Sequence, residues 1–189
     1  GRKINPRIAN IGALDGIQFQ KKFNGYFAGA AVGTRPDHQT YGYNINLLEY
    51  GAYFGHSHKI SDGFIQSSLA FFEQRNDLKI DRRFMYLQHT NSTIKNLNLF
   101  SSLEVDLYKV ENDTPENSLS LTGLYLSSRY SLSRRLSIFA AYDNRKNVIY
   151  YETFTNYADE VFERASRQGI HFRVNYRPAD FINLGISAG

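Results

Sequence analysis

Several groups of residues in this chain have types and spacing that could do chemistry. Gly55-His56-Ser57-His58 sets two imidazoles around a hydroxyl. A Ser–His pair needs the hydroxyl within hydrogen-bond reach of the ring, and a third group to orient that ring. Neighbours along a strand point to opposite faces, so on a strand His56 and Ser57 would not meet. His56 and His58 would share a face, but a metal site needs further ligands and the sequence nominates none. The motif therefore reads as polar residues near a turn. No catalytic set, metal site or cofactor is expected from it.

Glu104 and Asp106 stand two apart and would share a strand face. Calcium wants six to eight oxygens, so two acids alone read as a solvated polar surface. His171, Arg173 and Arg177 form a basic row on a later strand. Acidic and basic rows facing one another across an interior would make a salt-bridge network, plugging the interior or setting up a transverse field. Asp143-Asn144-Arg145-Lys146-Asn147 and Asp81-Arg82-Arg83 read as solvated rims at strand ends. Their cations could meet anionic head groups or lipopolysaccharide phosphate.

The elements that must carry these residues are strands. From Ile170 the chain reads Ile-His-Phe-Arg-Val-Asn-Tyr-Arg, and the alternation resumes at Ile182. Period two means one face in an apolar medium and the other in water. On 95–108, Leu97, Leu99, Leu103, Val105 and Leu107 oppose Asn98, Ser102, Glu104 and Asp106. On 135–144, Leu136 and Ile138 lead one face. Ten strands are predicted: 16–22, 25–33, 42–55, 64–75, 80–89, 95–108, 118–130, 135–144, 168–177 and 181–189. At 64–75 and 118–130 both faces hold apolar residues, and Arg82, Arg83 and Met85 blur 80–89. Short connectors (near 23–24, 56–63, 90–94, 131–134, 178–180) roughly alternate with longer ones (34–41, 76–79, 109–117, 145–167). Within the last, Tyr157, Ala158, Val161, Phe162 and Ala165 would form the apolar face of a short helix with Asn156 as N-cap.

Composition narrows the class. Tyr, Phe and Gly each number 14, Pro 4 and Cys 0. Aromatic residues favour strands, and the lack of Cys removes disulfides and thiolate metal sites. The net charge of +4 is spread along the chain, which argues against a nucleic-acid stripe. No apolar run approaches the length of a membrane helix. Most predicted strands instead reach the roughly 9–11 residues with which a tilted strand crosses a bilayer. Glu49, Glu73, Glu104, Asp106, Arg173 and Arg177 on their polar faces would be hard to desolvate in a small soluble barrel.

The alternating runs 95–108, 135–144, 170–177 and 181–188, with their connectors, resemble the bacterial outer-membrane β-barrel class. The resemblance covers the chain from about residue 16 and is architectural. Many members close with a terminal aromatic residue, which is missing here. It implies an all-β, antiparallel up-and-down transmembrane barrel in a Gram-negative outer membrane, of which this chain is part. Residues 1–15 read as a connector from a missing upstream part, and 16–189 as the barrel segment. The lumen would be lined by Asn98, Glu104, Asp106, His171, Arg173 and Asn175. The lipid face would carry Leu97, Leu99, Leu103, Val105, Leu107, Leu136, Ile138, Ile170, Phe172, Val174, Ile182, Leu184 and Ile186. Expected partners are the bilayer, lipopolysaccharide and further parts of the same protein, with no nucleic acid, and no enzymatic activity is expected. The function would be a solute pore or a surface anchor. The competing expectation is a soluble or periplasmic barrel with the leucines inside, around an apolar ligand. On the first reading Val105→Arg impairs insertion and Asp106→Arg is tolerated.

Overall fold

A computed structural model describes residues 1–5, 7–8, 11–37, 40, 42–60, 63–111, 114–146, 166–179 and 182–189. It contains one 11-stranded sheet in which spatial order is sequence order. The strands are β1 (Arg2–Ile4), β2 (Ala13–Phe23), β3 (Tyr26–Thr34), β4 (Leu47–Ile60), β5 (Gly63–Asn76), β6 (Lys79–Asn91), β7 (Leu97–Glu111), β8 (Thr114–Ser131), β9 (Leu136–Lys146), β10 (Ser166–Ala179) and β11 (Ile182–Ala188). Every pairing is antiparallel. Among the described residues the sheet is open, with β1 and β11 as its outer members.

All ten predicted strands are present as β2–β11. β1 was not predicted. It pairs Arg2 with Asp15 and Ile4 with Ala13, so residues read as a connector extend the sheet. The predicted helical face at 157–165 lies outside the described residues. The Asn24-Gly25 hairpin has both residues at positive φ (45° and 82°), the backbone whose twist suits a two-residue connection. Asp77 and Leu78 do the same between β5 and β6.

Two expectations about connectors are corrected. β4 runs on to Ile60, so Gly55-His56-Ser57-His58 lies within a strand and not in a connector, next to the Asn24-Gly25 turn, where Ser57 N–H donates to the Gly25 carbonyl at 2.7 Å. β7 ends at Glu111 and β8 begins at Thr114, so the supposed long link at 109–117 is almost wholly strand. The separations at that end of the sheet thus differ widely: 5–12, 35–46 and 147–165 are long, whereas only two residues separate β5 from β6 and β7 from β8.

Burial distinguishes the two faces. The inner face of β2–β7 holds Phe27, Ala31, Tyr53, Ala70, Phe72, Phe84 and Tyr86, joined by Ile8, Ile11 and Leu14 in one apolar cluster. Glycines make room for the rings. A Cβ on Gly29 would stand 2.5 Å from the Tyr53 ring, and one on Gly55 would stand 2.4 Å from that of Phe27. The segment before β2 crosses this surface, and the Ser68 hydroxyl donates to the Arg7 carbonyl at 2.6 Å. The opposite, outer face presents Ile17, Phe19, Phe54, Phe71, Leu87, Leu126, Ile170, Phe172 and Ile186 to its surroundings.

Candidate functional site

Cross-strand partners in an antiparallel sheet project to the same side, so the register sorts side chains into rows. One inner row runs Glu49–Gln74–Arg82 over β4–β6. The next runs Gly51–Phe72–Phe84–Asp106 over β4–β7, and the one after it Tyr53–Ala70–Tyr86–Glu104. These rows bring buried charges together. The Arg82 guanidinium donates from Nε to Asp106 Oδ1 at 2.9 Å, and from Nη2 to Glu104 Oε1 at 2.6 Å. The same group lies 4.4 Å from the Phe84 ring centroid.

Thr122 completes this knot. The register passes from Glu104↔Gly123 to Val105↔Leu121, leaving Thr122 as the extra residue of a bulge. A bulge re-aims the side chain it carries. Here the Thr122 hydroxyl accepts from Arg82 Nη2 at 3.4 Å. On the other side, Arg35 Nη1 donates to Gln74 Oε1 at 2.7 Å while Gln74 Nε2 donates to Asp81 Oδ2 at 2.5 Å. Glu49 is 1% exposed, with Oε2 3.8 Å from Arg35 Nε and Oε1 without a hydrogen-bond partner. The result is two hydrogen-bonded groups, Arg35–Gln74–Asp81 beside Glu49 and Arg82–Glu104–Asp106–Thr122, whose strand residues lie on β4 to β8. The second group links β6, β7 and β8 through side chains.

Asn98, Glu104, Asp106, His171, Arg173 and Asn175 all occupy the same face of the sheet. Asn98 shares a row with Arg129, Phe139 and Arg173. The structure changes the reading of several of them. Glu104 and Asp106 are not a solvated surface: Asp106 is buried and both acids are held by Arg82. Their partner comes from the adjacent strand, and not from a basic row facing them across an interior. The His171 ring instead meets Asp143 at 3.0 Å. Arg82, read from sequence as part of a solvated rim, is the centre of the buried knot. Asp106→Arg would set two guanidinium groups against each other, so its expected tolerance is withdrawn. Glu73 belongs to the outer face. It accepts from Tyr50 at 2.5 Å, Arg75 at 2.8 Å and Arg83 at 2.7 Å beside the tight 77–78 turn.

The His-Ser-His motif behaves as strand geometry requires. His56 and His58 stack at 6.1 Å between centroids on the outer face, and Ser57 points the other way. A hydroxyl–imidazole pair does exist, but between strands: Ser67 Oγ lies 2.8 Å from His89 Nδ1. Among the described residues no hydrogen bond joins His89 to a third, orienting group, and no cluster of three metal-ligating side chains occurs. Nothing in the spacing of Ser67 and His89 in the chain signals their meeting. Only the β5–β6 register does.

The fold and its inner face thus define an all-β, antiparallel up-and-down sheet with one packed, polar-cored side and one apolar side. No protein-family model, curated protein or solved structure matches the chain.

Proposed function

We propose that the chain is wall of an outer-membrane β-barrel in a Gram-negative envelope, serving as a solute pore or as the anchor of a surface part. The observation that carries this reading is how the outer apolar zone runs across the register. A row of Phe54, Leu69, Leu87, Leu103 and Leu124 continues into Asn144 and Gln168. On β10 the apolar residues are Ile170, Phe172 and Val174, so Phe172 lies four residues beyond the position level with Leu87, four strands away. The zone drifts by about one residue per strand. Strands about 4.8 Å apart, rising about 3.3 Å per residue and tilted about 35–45°, give about 1–1.5 residues per strand for a band level with a membrane.

Two further features support it. Leu97, Tyr130, Ile138, Val174 and Ile186 form an outer row over five strands. Ile17, Ile170 and Ile186 are each more than 70% exposed, a surface that suits lipid better than water. At the connector end, Tyr50 with Glu73, Arg75 and Arg83 has the make-up of an interfacial belt. Lipid and lipopolysaccharide are then the partners of the outer face and basic rims. The open edges call for closure by further strands, since hydrocarbon leaves no unpaired edge satisfied.

Cell fractionation with a high-pH carbonate wash tests the proposal. Retention of the full-length parent in the outer-membrane pellet is expected, and planar-bilayer conductance then separates pore from anchor. Release into the soluble fraction overturns it in favour of a soluble barrel, which needs inward apolar residues where Leu87, Leu126 and Ile186 face outward.

A further inference from the structure

A cavity of about 560 Å³ lies between the N-terminal segment and β2. Its polar lining is Arg2, Asn5, Arg7, Gln18, Gln20 and Lys22, and no Asp or Glu lines it among the described residues. Arg2 is already held by Asp15 at 2.6 Å. Arg7 and Lys22 have no acidic partner among the described residues. The Arg7 guanidinium lies 3.9 Å from the Phe27 ring centroid, and Lys22 is the cross-strand partner of that same Phe27. Arg7 and Lys22 are thus both placed beside Phe27, and both line the cavity.

Two donors in this lining are buried without a hydrogen-bond partner: Nη1 of Arg7 and Nδ2 of Asn5. A buried donor left unpaired is costly, and more so when it carries charge. A guanidinium cannot lose its proton to escape that cost. The amides beside it are pre-set. Tyr53 Oη accepts from Gln18 Nε2 at 2.6 Å and donates to Gln20 Oε1 at 3.2 Å, which leaves the Gln20 amide nitrogen as a donor. Cations with no counter-ion among the described residues, next to ordered amides in a space of this size, match an oxyanion attached to a hydroxylated body.

We infer that this cavity binds a small solute bearing a phosphate or carboxylate group. The anion sits between Arg7 and Lys22, and the remainder of the solute lies against Gln18 and Gln20. That the solute reaches the cavity through a lumen rests on the barrel reading above. The binding itself does not.

The test is calorimetric titration of the full-length protein in detergent, at fixed ionic strength, with glucose 6-phosphate, inorganic phosphate and glucose. Saturable binding of both phosphates and none of glucose is expected. Lys22→Gln and Arg7→Gln should each weaken glucose 6-phosphate at least tenfold, with Arg7→Lys less affected. Lys22 is exposed and makes no described hydrogen bond, so its variant folds as the parent does. Absence of saturable phosphate binding, or unchanged affinity in Lys22→Gln, overturns the site. Because the titration needs no bilayer, its failure is separable from failure of the membrane reading, which the carbonate wash reports.

Discussion

On β5 and β6 the inner face carries Ala70, Phe72, Phe84 and Tyr86, all buried. On β10 the same face carries His171, Arg173 and Arg177, all exposed. The first region is filled by rings seated over glycines, by the Arg82 knot and by the segment holding Ile8 and Ile11. Among the described residues, the second has only its own side chains. Strand alternation is common to both, so it tells which side a residue faces and not whether that side is occupied. Part of that occupation comes from elsewhere in the chain, here from Ile8 and Ile11.

The sharpest way to break the comparison is to remove the central cation of the packed region. Arg82→Ala leaves Asp106 and Glu104 buried without a counter-charge, and losing one member of a buried pair costs about 3–5 kcal/mol. Arg173→Ala, on the exposed part of the same face, should stay within about 0.5 kcal/mol. Urea unfolding of micelle-folded protein measures both, and equal midpoints would erase the distinction between the regions.

Next in size is the contrast between faces. Val105→Arg should weaken membrane insertion by about 2–4 kcal/mol, as a charge in mid-bilayer does. Asn175→Arg, on the inner face, should insert normally. Yield of folded protein in an outer-membrane fraction compares them, and equal yields would refute the assigned faces.

A smaller effect is expected from added volume. A Cβ on Gly55 would stand 2.2 Å from the Ser67 carbonyl oxygen and 2.4 Å from the Phe27 ring, whereas one on Gly185 comes no nearer than 3.4 Å to Asn175. Gly55→Ala should cost about 1–3 kcal/mol by overpacking, and Gly185→Ala almost nothing. Thermal melting separates them. Smallest of all is Asp143→Asn, which alters a 3.0 Å contact to a largely exposed His171 and should change stability by less than about 1 kcal/mol.

The strands were legible from sequence where the inner face is polar, as on β7, β9 and β10. They were blurred on β5, where Ala70 and Phe72 fill the interior so that both faces read as apolar, and on β6, where Arg82 and Arg83 stand on opposite faces. On β8 the register shifts beside Thr122 break the period itself. β1 was invisible because three residues hold too little alternation to detect. The charged knot was half legible. Glu104 and Asp106 stood out as a pair, but Arg82, 22 and 24 residues upstream of them, could be matched to them only by the β6–β7 register. The cavity beneath the N-terminal segment left no signal in the chain, because it depends on how a segment without periodicity crosses a sheet.

The clasp between Arg7 and Ser68 has a consequence for the order of assembly. All strand pairings join sequence neighbours, so each pair can form as soon as its two arms exist. The Ser68 hydroxyl reaches a carbonyl 61 residues earlier, across the surface that β2 to β5 must first create. Closing so long a loop costs entropy that only a finished platform can offset. The beginning of this chain is therefore among the last parts of its first half to settle. Protection of the Arg7–Ile8 region during refolding would act as a clock for completion of β5.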